Sequence, residues 1–86
     1  MEISVELTFS PLKDDFEAPI IQLIKSLRQS GLDITENPLS TQVFGDYDKV
    51  MSVFNSELKT ALEAVEHGLL YIKIVKSNRK DYAPHF

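Results

Sequence analysis

Glu2-Ile3-Ser4-Val5-Glu6-Leu7-Thr8-Phe9-Ser10-Pro11 alternates without a break: Ile3, Val5, Leu7 and Phe9 fall on one side, Ser4, Glu6, Thr8 and Ser10 on the other. A period of two is the signature of a β-strand with one apolar face and one polar face. Pro11 closes the run, because proline has no N–H to donate to a sheet ladder. Whatever covers this strand must cover one side only.

Two helices answer. Asp14 and Asp15 offer capping chemistry and favourable charge at a helix start. Phe16, Ile20, Leu23, Ile24 and Leu27 then recur at three- and four-residue spacing. With Pro19 inside this stretch, either the regular helix begins near Ala18 or its first turn gives up one hydrogen bond. Gly31 suits a left-handed C-terminal cap. Leu32–Glu36 and Ser40–Phe44 are short β segments separated by Asn37-Pro38, which predicts an antiparallel hairpin. Gly45-Asp46 closes that hairpin and caps a second helix, whose apolar side carries Tyr47, Val50, Met51, Phe54, Leu58, Ala61, Leu62 and Val65. His67-Gly68 is read as its end, with the imidazole near the negative pole of the helix dipole. Leu69–Val75 is the last strand, with Leu70, Ile72 and Ile74 on one face and Tyr71 and Lys73 on the other.

Strand–helix–strand–strand–helix–strand order, with one apolar stripe per helix, predicts an α+β ferredoxin-like βαββαβ sandwich. Its four-stranded antiparallel sheet runs 4-1-3-2 and both helices lie on one face. The 86 residues make a single domain with a core at about 2–76 and a polar tail at 77–86 that docks or crosses to a neighbour. The opposite sheet face, lined by Ser4, Glu6, Thr8, Tyr71, Lys73 and part of the hairpin, is left open. Tyr71 and Phe44 are read as exposed aromatics that favour an interface there.

Composition narrows the function. The 43% hydrophobic and 26% charged residues are those of an ordinary soluble globule. There is no cysteine, which removes disulfides, thiolate metal sites and cysteine nucleophiles. The N-terminal sequence has no basic stretch followed by an apolar run, so a soluble cytoplasmic protein is expected. A net charge of −4 argues against nucleic acid, whose binding needs a basic patch, and is compatible with a cationic ligand. The only histidines are His67 and His85, and no phosphate loop or serine elbow is present. Catalysis, metal binding and a bound cofactor are not expected. A copper chaperone of this fold would need paired cysteines on the first loop. An acylphosphatase would need an arginine there, and Ser10-Pro11-Leu12-Lys13 has none.

Thr8-Phe9-Ser10-Pro11-Leu12-Lys13-Asp14-Asp15-Phe16 resembles the opening motif of the YkoF family of thiamine- and hydroxymethylpyrimidine-binding proteins. Pro38-Leu39-Ser40-Thr41-Gln42-Val43-Phe44-Gly45, with Asp46-Tyr47-Asp48-Lys49-Val50-Met51 after it, is similar to that family's hairpin segment. It is closer still to the related single-domain thiamine-binding proteins, which share Ile72-Lys73-Ile74. The resemblance runs to about Arg79. It implies non-catalytic binding of thiamine or hydroxymethylpyrimidine, in uptake or salvage, and self-association as a homodimer or homotetramer through sheet faces or edges. By position Thr8 matches the motif serine, Ser10 replaces its tyrosine, and Ser40 and Thr41 match directly.

The residue types suit such a ligand. An aminopyrimidine needs a few fixed donors and acceptors, which Thr8, Ser10, Ser40, Thr41 and the amide of Gln42 or Asn37 supply. A thiazolium cation needs an aromatic face or a carboxylate, for which Phe44, Tyr71 and Glu6 are candidates. Phe9 shares the apolar face of the first strand and is assigned to the core. Thr41 and Val43 lie on one side of the third strand, Ser40, Gln42 and Phe44 on the other, and periodicity leaves open which side meets the helices. The alternative function is an oligomeric regulatory or interaction module that uses the open face without a small molecule.

Overall fold

In the computed structural model, which describes residues 1–86, the alternating segment is the strand β1 (Glu2–Pro11). It sits inside the sheet, antiparallel to β3 (Thr41–Asp46) on one side and to β4 (Gly68–Val75) on the other. β2 (Asp33–Glu36) pairs antiparallel with β3 at one edge. The order β2-β3-β1-β4 is the expected 4-1-3-2 read from the opposite edge. The helices α1 (Glu17–Gln29) and α2 (Tyr47–Glu63) complete a ferredoxin-like α+β fold.

The core follows from the period of two. Ile3, Val5, Leu7 and Phe9 of β1 and Val43 of β3 meet Leu23 and Leu27 of α1 and Val50, Phe54, Leu58 and Ala61 of α2 in one cluster. Both helices therefore press on the same face, and each buries one stripe: Pro19, Leu23 and Leu27 in α1, and Val50, Phe54, Leu58 and Ala61 in α2. Tyr47 and Leu62, at the margins of the second stripe, remain exposed.

Helix termini test local chemistry, and two of them correct the sequence reading. Asp14 and Asp15 do not cap α1. The N-cap is Phe16, with no side-chain capping bond, so the helix begins at Glu17. Pro19 then occupies the third helical position, where its missing N–H is one of the groups that would have no intrahelical partner anyway. His67 is not at the end of α2 either. The helix stops at Glu63 with Ala64 as C-cap, and the His67 carbonyl instead accepts the Leu12 N–H at 3.0 Å. The other two termini are as read. Gly31 adopts φ +83°, a left-handed turn that favours glycine. Asp46 caps α2, its carboxylate accepting from the Lys49 N–H at 3.4 Å.

The β2–β3 connection is an Asx turn. Asn37 Oδ1 accepts from the N–H groups of Leu39 at 2.9 Å and Ser40 at 3.0 Å, which occupies the amide oxygen that sequence reading offered to a ligand. β2 is tied to α1 by a fork: Arg28 Nε and Nη2 each reach a Glu36 carboxylate oxygen at 2.6 Å. The Arg28 hydrogen bonds hold the Glu36 carboxyl below the ordinary carboxylate range, and the same pairing raises Arg28.

Leu27 is fully enclosed, so Leu27→Ala should cost about 2–5 kcal/mol in urea unfolding with an unchanged m-value. Because the folded-state pKa of Glu36 is depressed, its stabilisation is complete above the ordinary carboxylate range and is lost as pH falls through the folded value. Unfolding midpoints of Glu36→Gln should therefore depend less steeply on acid than those of the parent chain.

Candidate functional site

The face of the sheet away from the helices carries three rows of side chains, set by strand register. Asp33, Phe44, Ser4 and Val75 lie side by side across the four strands, and Thr35, Gln42, Glu6 and Lys73 form the next row. Thr8 and Tyr71 face each other beyond it. Opposite residues in a sheet share a face, so this pairing settles the third strand. Ser40, Gln42 and Phe44 belong to the open face, and Thr41, paired with Leu7 and 8% exposed, belongs to the helix face.

A shallow cavity of about 180 Å³ lies on the open face, lined by Ser4, Glu6, Gln42, Phe44, Lys73 and Arg79. It has an aromatic ring, a carboxylate, an amide and two cationic side chains within one concavity. The Ser40 hydroxyl donates to Glu6 Oε2 at 3.2 Å and draws that carboxylate toward the hairpin.

The far end of the cavity is built by the chain's last residues. After β4 the backbone turns across the open face, where Ser4 receives it: Ser4 Oγ donates to the Ser77 carbonyl at 2.7 Å and accepts the Arg79 N–H at 2.8 Å. Asn78 Nδ2 donates to Glu2 Oε1 at 3.1 Å, and Lys80 Nζ pairs with Asp33 Oδ2 at 2.6 Å. The Asp33 carboxylate raises the Lys80 pKa through that hydrogen bond and its charge. Residues 77–82 thus form a strap from the β4 edge to the β2 edge. Beneath it Ser4 and Phe44 are the two buried residues of the open face, at 8% and 7% exposure. Phe44 is accordingly not the exposed aromatic that the alternation suggested. Tyr71, 64% exposed, is one.

Of the residues singled out from sequence, the fold brings together Glu6, Gln42 and Phe44, with Ser40 attached through its hydrogen bond to Glu6. Thr8 and Tyr71 continue the same face past the cavity, and Ser10 lies farther along β1 opposite Leu69. Thr41 is separated from them by the thickness of the sheet. Sequence reading passed over Ser4, Lys73 and Arg79 as site residues. The first two share the β1 and β4 alternation and could have been added on that ground, whereas nothing in the alternation placed Arg79.

No family model matches the sequence, and no curated protein does. Solved structures do. A Streptococcus pneumoniae protein superposes with a TM-score of 0.84 at 25% identity, over 91% of this chain and 89% of its own. A Thermotoga maritima protein provisionally assigned to thiamine biosynthesis or salvage gives 0.81 at 16% identity, over 90% and 85%. A domain of unknown function from Bacillus cereus gives 0.76 at 17% identity, over 96% and 83%. The likeness is one of fold.

Ser4 tests the strap. Ser4→Ala removes the shared partner of Ser77 and Arg79, and should cost about 1 kcal/mol. Hydrogen exchange of the Arg79 amide should accelerate by about tenfold as that N–H loses its acceptor, while amides within β3 keep their protection.

Proposed function

We propose that the open sheet face binds thiamine or its hydroxymethylpyrimidine precursor, without catalysis, in vitamin uptake or salvage. The observation that carries this reading is the cavity itself, where Phe44, Gln42 and Glu6 converge. A flat heteroaromatic ring laid in it would touch the edge of Phe44 that the strap leaves open and turn its amino group and ring nitrogens to Glu6 and Gln42. A thiazolium substituent would extend toward Thr8 and the exposed Tyr71 ring, where an aromatic face stabilises a cation. The resemblance of residues 8–16 and 38–51 to thiamine-binding proteins supports the same ligand class. So does the fold shared with the Thermotoga protein assigned provisionally to thiamine metabolism. In this reading Ser40 positions Glu6, and Thr41 acts only through packing and strand structure.

Thiamine at about one hundred times its dissociation constant should stabilise the chain by about 2.7 kcal/mol, read as a rise in Tm. Glu6→Gln should weaken binding about 10- to 100-fold in isothermal titration, the cost of a charge-assisted hydrogen bond. No thermal shift with thiamine or hydroxymethylpyrimidine at millimolar concentration overturns the reading.

A second copy of the chain is the proposed partner, through the free edge of β4. Ile72 and Ile74 point to the helix face yet remain 44% and 46% exposed, beside a groove lined by Met51, Phe54 and Leu58. Antiparallel β4–β4 pairing would satisfy the unpaired backbone groups and continue the apolar layer from one copy into the next. The same edge would serve the alternative function, an assembly module with no small-molecule ligand. Ile72→Lys should shift sedimentation from dimer to monomer, and an unchanged dimer would exclude this edge.

A further inference from the structure

The cations of this acidic chain are unevenly committed. Arg28 and Lys80 are held by Glu36 and Asp33. Lys73 and Arg79, which both line the open-face cavity, have no carboxylate at ion-pair distance. Arg79 is also anchored. Its N–H is fixed on Ser4 and its Nε donates to Ser77 Oγ at 3.1 Å, which leaves both terminal nitrogens of the guanidinium without a protein acceptor.

The cavity therefore has two poles. Glu6 is drawn by Ser40 toward the hairpin end, and Arg79 enters at Ser4, two residues back along β1. From the rise of an extended strand these positions are about 6.5 Å apart. A ligand matching both poles has a hydrogen-bond donor or cation at one end and an anionic oxygen group at the other. A planar guanidinium with its paired N–H groups free is the side chain best shaped to hold a phosphate by a fork of hydrogen bonds, and Lys73 adds a point charge beside it.

We propose that the ligand of the open face is a phosphate monoester of an aminated heteroaromatic, its phosphate held by Arg79 and Lys73 while its amino group meets Glu6. This rests on reading the face as a thiamine-type site and specifies the form of the ligand. The strap is then part of the site, since it delivers Arg79.

Isothermal titration of the full chain with thiamine, thiamine monophosphate and hydroxymethylpyrimidine phosphate tests it. The phosphate esters should bind at least about tenfold more tightly than thiamine. That ratio should collapse to near one in Arg79→Gln and recover only in part in Arg79→Lys, which restores charge without the fork. Both substitutions are at an exposed side chain, and circular dichroism checks that the fold is kept. Equal binding of ester and alcohol by the parent chain, or an ester preference that survives Arg79→Gln together with Lys73→Gln, overturns the proposal and leaves the thiamine reading standing. If no pyrimidine binds, that reading falls and pyrophosphate alone decides the anion site. Saturable binding that Arg79→Gln abolishes keeps it, and its absence overturns it.

Discussion

The rest of the structure depends on β1 being paired along both edges. A strand bonded to β3 on one side and β4 on the other cannot slide by one residue without turning Ile3, Val5, Leu7 and Phe9 to water and Ser4, Glu6 and Thr8 into the core. The apolar cost of that exchange enforces the register. Register in turn decides what every neighbouring strand presents. Val43 packs beneath the helices because it opposes Val5, and Gln42 reaches the cavity because it opposes Glu6. Core and candidate site are the two sides of one alternation.

The open face is organised by charge as much as by shape. It belongs to a chain of net charge −4, yet Lys73 and Arg79 converge on the cavity against one carboxylate, Glu6. Three acidic residues elsewhere are committed to structure: Glu36 holds Arg28, Asp46 caps α2, and Asp33 anchors the strap through Lys80. The Asp46 carboxyl is lowered first by its hydrogen bond from the N-terminal ammonium and then by the Lys49 N–H. These pairings are solvent-exposed, so each stabilises modestly and is sensitive to salt. What they contribute is placement.

Legibility in the sequence followed the range of the interaction concerned. The strands of β1 and β4, the two helical stripes, Gly31 and the Asp46 cap all depend on neighbours within a few residues, and the pattern showed them. The side of β3 that meets the helices did not appear, because it depends on a pairing partner some 40 residues away. Thr41, offered to a ligand, went to the core side for that reason, while the Phe44 ring, on the open face, is covered by a segment that periodicity cannot describe. Asp14 and Asp15 carried capping chemistry, but the chain from β1 has turned into α1 only at Phe16. The strap was the least visible element. It rests on contacts far apart in sequence, among them a serine hydroxyl that accepts and donates across 75 and 73 residues, and composition marked the segment only as a polar tail.

Because Asn78 reaches Glu2, the start of β1 and the strap lie next to each other at one end of the sheet, while the Asn37–Ser40 turn lies at the other end. The hairpin, where Leu39 is 86% exposed, is therefore the place where the chain can be extended away from the strap. The same geometry governs how the protein is handled. A tag or fluorescent domain inserted at the hairpin leaves the approach to Arg79 and the cavity clear, whereas one inserted between β4 and Arg79 would part the strap from Ser4.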